Sequence, residues 1–111
     1  LLTTQIFLML PEYIPLDIYG DFVVQYTLFS VTEAIESTLE DYLEQLQKKE
    51  NGNMLYYGDF FAVLEALEYM KEISYLKLEL AGCKSNSFGD SSIPPYGRVY
   101  LRNCYLNIIY Q

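Results

Sequence analysis

The 111-residue chain contains no histidine and no tryptophan. Without imidazole it has no side chain that ordinarily titrates near neutrality, no Ser-His-Asp or Cys-His pair, and no histidine ligand for zinc. Cysteine is scarce: Cys83 and Cys104 form no CxxC, and two thiols alone do not close a zinc site. A single disulfide between them is one reading. Two reduced thiols in a reducing cytoplasm is the plainer one. Cations are few, 7 Lys+Arg against 15 Asp+Glu, for a net charge of −8. That balance argues against binding a phosphate backbone, so no direct nucleic-acid partner is expected. Long apolar runs are missing too. Leu1–Leu10 is too short to span a bilayer and stops at Pro11 and Glu12, so no membrane partner is expected. It lacks the basic start and small-residue cleavage site of a signal peptide. The chain opens on Leu1 rather than Met, as a processed product does.

What is present is apolar and aromatic. Half the residues are apolar, with 12 Tyr and 6 Phe. This composition folds, and the length suits one domain over residues 1–111 that buries roughly two-thirds of its unfolded surface.

Leu1–Leu10 reads as a buried strand. Pro11–Gly20, with two prolines, Asp17 and Gly20, reads as a loop. Asp21–Phe29 is rich in Val, Tyr, Phe and Thr and favours a strand, with a helix as the alternative. Ser30-Val31-Thr32-Glu33 is a capping box that opens a helix. In that helix Val31, Ile35, Leu39, Tyr42, Leu43 and Leu46 share one arc, and Glu33, Glu36, Glu40 and Glu44 are expected on the opposite one. Acids lead and Lys48-Lys49 trail, as the helix dipole prefers, and Asn51-Gly52 supplies the stop. A second helix is expected from an Asp59 N-cap, with Phe60, Val63, Leu64, Ala66, Leu67, Met70 and Ile73 on its apolar face. Phe61 departs from that face and is expected exposed near Glu65, Glu68 and Glu72.

Tyr75–Ala81 alternates apolar and polar, the mark of a half-buried strand. Gly82–Gly97 is a long polar loop. Arg98–Tyr110 reads as a final strand. The expected fold is α+β in ββααββ order, an antiparallel sheet with two helices on one face. Tyr19-Gly20-Asp21-Phe22 recurs as Tyr57-Gly58-Asp59-Phe60, but the flanks do not match, so it reads as coincidence rather than a repeat.

Three features could carry function. The carboxylates Glu33, Glu36, Glu40 and Glu44 are either a solvated helix face or a surface complementary to a basic partner, which would raise the association rate and set specificity. Tyr56, Tyr57 and Gly58 with Asp59 either form a packed turn or, with Phe61, Glu65 and Glu68, an aromatic anchor rimmed by acids. The tyrosines Tyr96, Tyr100, Tyr105 and Tyr110 either pack, form a homodimer interface, or stack bases. Only Arg98 and Arg102 are near to make the last electropositive. Catalysis is not expected. Cys83, Ser85, Ser87, Ser91 and Ser92 have no histidine base, and pairs such as Asp59 with Asp90 show no sign of burial. No EF-hand or DxDxD run calls for a metal, and no cofactor motif is present.

The segment Tyr56-Tyr57-Gly58-Asp59-Phe60-Phe61-Ala62-Val63-Leu64-Glu65-Ala66-Leu67 resembles the YYG-(E/N)-N-L-D-A-L-W-D-A-L stretch of barstar-type ribonuclease inhibitors. A one-residue gap brings Ala62, Glu65 and Ala66 onto the family pattern. The family's first contact Asp then has no counterpart, and Leu64 stands where the family has Trp. In that family the Tyr-Tyr-Gly turn and the acidic helix after it plug a ribonuclease active site, and a strand follows, as Ser74–Leu80 would here. The resemblance implies an inhibitor role for this segment.

The sequence as a whole reads as a cytoplasmic acidic binding module, an inhibitor or immunity protein that masks the basic active site of a nuclease-type toxin. Two alternatives are a homo-oligomeric assembly protein of viral or phage type, and a DNA mimic that blocks a restriction or CRISPR-type nuclease.

Overall fold

A computed structural model describes residues 12–48, 54–83, 85–94 and 96–111. The elements are β1 (Glu12–Val24), α1 (Val31–Gln47), β2 (Met54–Leu55), α2 (Tyr57–Glu65), β3 (Met70–Leu80), β4 (Ser91–Ser92) and β5 (Gly97–Tyr110). The expected strand at Leu1–Leu10 and the stop at Asn51-Gly52 lie outside the described residues.

The first helix begins on the serine half of its capping box. Ser30 is extended, and its hydroxyl accepts the Glu33 N–H at 3.3 Å, satisfying one of the donors a helix start leaves free. Val31, Ile35, Leu39, Leu43 and Leu46 then fall on one side and are buried.

The main sheet has the order β3-β1-β5. β1 pairs antiparallel with β3 and parallel with β5, so the sheet is mixed and not antiparallel. The chain order is likewise not ββααββ. β2 and β4 form a second, two-stranded sheet. One face of the main sheet is covered. Ile14, Leu16, Ile18, Phe22 and Val24 of β1 join Leu76, Leu78 and Leu80 of β3, the α1 row, and Phe60 and Leu64 of α2 in one core. Each such side chain contributes about 1.5–3 kcal/mol by burial. The other face is open. It carries Tyr13, Tyr75, Tyr100 and Tyr105, each between 43% and 69% exposed.

β1 replaces the loop expected at Pro11–Gly20, and each apparent breaker has a local solution. The Pro15 carbonyl accepts the Ala81 N–H, so the side of Pro15 that lacks an N–H faces the end of β3, where no ladder partner is lost. Asp17 is buried but meets the Arg102 guanidinium through two oxygens, at 3.0 and 2.6 Å. Gly20 lies under the Phe22 ring, which would stand 2.6 Å from an added Cβ. The strand expected over Asp21–Phe29 ends at Val24; beyond it the Gln25 N–H donates to the Tyr69 carbonyl and the Thr27 hydroxyl to the Phe29 carbonyl.

The second helix is shorter than its apolar spacing suggested. It ends at Glu65, with the Leu67 N–H closing a tight turn onto the Leu64 carbonyl. Met70 and Ile73, expected on its apolar face, instead pair with Val24 and Phe22 in the sheet. Pairing with β1 outweighs a local periodicity that both structures could use. The Tyr-Gly-Asp-Phe tetrapeptide is strand in β1 and helix in α2, so the two copies are not a structural repeat.

Candidate functional site

The acidic row of α1 lies on the side away from the core, as expected, except that Glu36 borders the buried stripe. The edge of the row nearest the stripe lies beside β5. Glu36 is half-buried, and Glu40 and Glu44 are exposed. The charges of Glu36 and Glu40 help raise the Cys104 thiol of β5, which burial first and foremost pushes up to about 11. Two turns on, Gln47 is bound to β5 directly. Its amide donates to the Val99 carbonyl and accepts the Val99 N–H, both at 3.0 Å. α1 therefore runs antiparallel to β5, with its carboxylates ranged along the strand.

Between helix flank and strand lies an open pocket of about 570 Å³. Glu40, Leu43, Glu44 and Gln47 form one wall, with Tyr13, Arg98, Val99, Tyr100 and Leu101 forming the other. Glu44 holds Lys48 at 3.7 Å, with both side chains about two-thirds exposed. Such a pair contributes little to stability and is easily exchanged for another cation. Glu33, the remaining acid of the row, is exposed one turn toward the helix start.

The aromatic segment lies elsewhere. α2 packs toward β3, the sheet edge opposite β5. The structure therefore does not unite Tyr56, Tyr57, Asp59, Phe61, Glu65 and Glu68 with the α1 carboxylates. Asp59 is not the N-cap of α2. Tyr56 occupies that position without a side-chain bond, and Asp90, from the long loop, accepts the Tyr57 N–H at 2.9 Å in its place. Asp59 instead lies 3.5 Å from the Tyr42 hydroxyl, which donates to it. Phe61 is half-buried against Tyr57, with ring centroids 6.3 Å apart, and is not the free anchor expected. Tyr56, Glu65 and Glu68 are exposed.

The polar loop is built around Asn86. Its side-chain oxygen accepts the Phe88 and Asp90 N–H groups, at 2.8 and 3.0 Å. Gly89 turns there with φ +85, a conformation that suits glycine. Ser91 is buried with its hydroxyl 3.3 Å from that of Ser85. Neither serine's partner is a base. Both cysteines are free, and burial raises both thiols, the reverse of what an activated nucleophile needs. Among the described residues no three His, Cys, Asp or Glu side chains cluster as metal ligands, and no helix is long and apolar enough to cross a membrane.

The open sheet face is the feature the sequence reading located only in part. Strict alternation along β5 would put Tyr100 and Tyr105 on opposite sides of the strand. An extra residue at Arg102 shifts the pairing with β1 between Leu101 and Asn103 and puts both tyrosines on the open face. Tyr105 stacks on Tyr19 with centroids 5.0 Å apart, and the Lys77 ammonium lies 5.7 Å from the Tyr19 ring centre. No protein-family model matches the chain, and no curated protein is detectably similar to it in sequence.

Proposed function

We propose that this protein is a small acidic binding module of the cytoplasm, an inhibitor or immunity protein that covers the basic active site of a nuclease-type toxin without catalysing a reaction itself. The observation that carries this reading is the row Glu33, Glu36, Glu40 and Glu44, held on a well-capped helix beside an open pocket. A toxin that cleaves phosphodiesters presents cations shaped for phosphate, and a rigid row of carboxylates competes for them. The likeness of Tyr56–Leu67 to barstar-type inhibitors supports the same class. Presented to a restriction or CRISPR-type nuclease, the same row would act as a DNA mimic. The test is inhibition of basic nucleases of the toxin class, measured from low to high ionic strength. Inhibition that weakens with salt, and weakens again in a Glu36→Gln/Glu40→Gln/Glu44→Gln variant, supports the reading. Salt-independent inhibition that the variant retains overturns it.

The open face of the main sheet favours a second reading, a homo-oligomer that buries Tyr13, Tyr75, Tyr100 and Tyr105 between copies. An exposed patch of this kind commonly marks an interaction surface. Sedimentation separates the two: a strict monomer at high concentration removes the second reading.

A further inference from the structure

β5 is an edge strand, and among the described residues no strand lies beyond it. The directions of its outer backbone groups follow from two bonds. The Gln111 N–H turns inward to the Val24 carbonyl, so by strand alternation the groups of Cys104, Leu106 and Ile108 turn outward. At the other end the Val99 N–H and carbonyl also turn outward, where the Gln47 amide takes both. A planar amide bonded in this way imitates one residue of an added strand. Past Gln47 the edge runs on beside Glu44, Glu40 and Glu36 with no such partner among the described residues. A bare edge of this kind is a template for pairing.

The spacings agree. Carboxylates four residues apart on a helix advance about 6 Å along its axis. Alternate side chains of an extended chain advance about 6.6–6.8 Å. A strand laid against β5 would therefore present every second side chain to successive carboxylates of α1. Resting on the acidic-surface reading above, we propose that the groove between α1 and the outer edge of β5 takes an extended basic segment of the partner by strand addition. Lys or Arg at alternate positions meets Glu36, Glu40 and Glu44, and the segment's backbone pairs with Leu101, Cys104 and Leu106. The intervening side chains face Tyr100 and Arg98, which disfavours a segment with cations at every position. Main-chain bonds supply affinity in this mode, and the alternate side chains supply specificity.

The probe is a short synthetic peptide alternating Lys and Val, added to the full chain labelled with nitrogen-15. In the free protein the Leu101, Cys104 and Leu106 amides are expected to exchange rapidly with solvent. The peptide should slow them, and should leave the β3 amides unchanged. Methylating alternate backbone nitrogens of the peptide removes its edge donors and should abolish binding. The Glu36→Gln/Glu40→Gln/Glu44→Gln variant, its fold checked by circular dichroism, should bind about tenfold more weakly, as loss of three solvent-screened ion pairs implies. Slow exchange at these amides in the free protein would mean that another part of the chain already covers the edge, and would overturn the proposal. Equal binding of the methylated peptide would overturn strand addition but leave the acidic surface standing as a charge-only site. Failure of the peptide together with failure of every basic nuclease to bind would remove both the groove and the acidic-surface reading.

Discussion

The same four residues, Tyr-Gly-Asp-Phe, build a strand at Tyr19–Phe22 and the first turn of a helix at Tyr57–Phe60. Both phenylalanines reach the core, at 1% and 0% exposure. The other three residues do different work in each place. Tyr19 lies on the open face against Tyr105, and Tyr57 lies beside Phe61. Gly20 is pressed under the Phe22 ring, whereas nothing stands within 4 Å of a Cβ added at Gly58. Asp21 points to solvent from a strand, and Asp59 stands in a first helical turn within reach of Tyr42. A strand sends residues two apart to the same side, so Gly20 and Phe22 share the helix-covered face. In the helix the spacing of 100° per residue separates them. The backbone thus decides which neighbours each residue meets, and burial of the aromatic ring is what the two settings share.

The largest expected effect tests that shared element. Phe22→Ala and Phe60→Ala should each cost about 3–5 kcal/mol, a large share of the stability of a domain this size. Urea denaturation measures both. Losses that differ by more than about 2 kcal/mol would break the comparison by showing that one site collapses around its cavity and the other does not.

Glycine should separate the two copies by sign. Gly20→Ala puts a methyl against the Phe22 ring, which is fully buried and has nowhere to move. We expect a loss of about 1–3 kcal/mol. Gly58→Ala meets open space in a helical turn and should stabilise by about 0.4–1 kcal/mol, mostly by narrowing the unfolded ensemble. Equal shifts in urea midpoint would show that the contact at Gly20 is relieved by a small adjustment of the strand.

The two settings also show what the sequence disclosed and what it hid. α1 was legible because its signals are local and agree: a serine cap, apolar residues on one arc, and acids leading. The alternation of Leu76, Leu78 and Leu80 disclosed most of β3, and the long run from Arg98 disclosed β5. β1 was hidden because Pro15, Asp17 and Gly20 each signal a turn when read locally. What excuses them lies far along the chain: the end of β3 for Pro15, Arg102 for Asp17. Met70 and Ile73 fit a helix face by spacing, and only their partners Val24 and Phe22 make them strand. The site was legible in composition and not in place. Glu33, Glu36, Glu40 and Glu44 could be seen as a row, but the element they flank could be known only from the parallel pairing of β5 with β1. Arg102 is one residue in a strand-like run, and nothing local marks it as the shift that brings Tyr100 and Tyr105 to one face.

The aspartates give the smallest effect. Asp21→Asn should leave urea stability within about 0.5 kcal/mol, because Asp21 is exposed in the strand. Asp59→Asn removes a charge from a helix start and should cost about 0.3–1 kcal/mol. Their sharper difference is in alkaline pH. Burial, followed by the charge and hydrogen bond of Asp59, pushes the Tyr42 hydroxyl up to about 12 from its ordinary value of 10.0. A proton held more tightly in the folded state stabilises it fully below the unfolded value, and that stability is lost as pH rises from 10.0 toward about 12. Asp59→Asn removes the aspartate's share and keeps the burial. Tyr42 should then titrate between those limits, and the alkaline loss should be shallower than in the parent protein. Asp21→Asn should leave the profile unchanged. Absorbance of tyrosinate, compared with a Tyr42→Phe variant to identify the last tyrosine to ionise, reads the shift directly. An unchanged Tyr42 titration in Asp59→Asn would mean that burial alone holds its proton, and that the 3.5 Å contact between these two side chains does not reach across the α1–α2 boundary in solution.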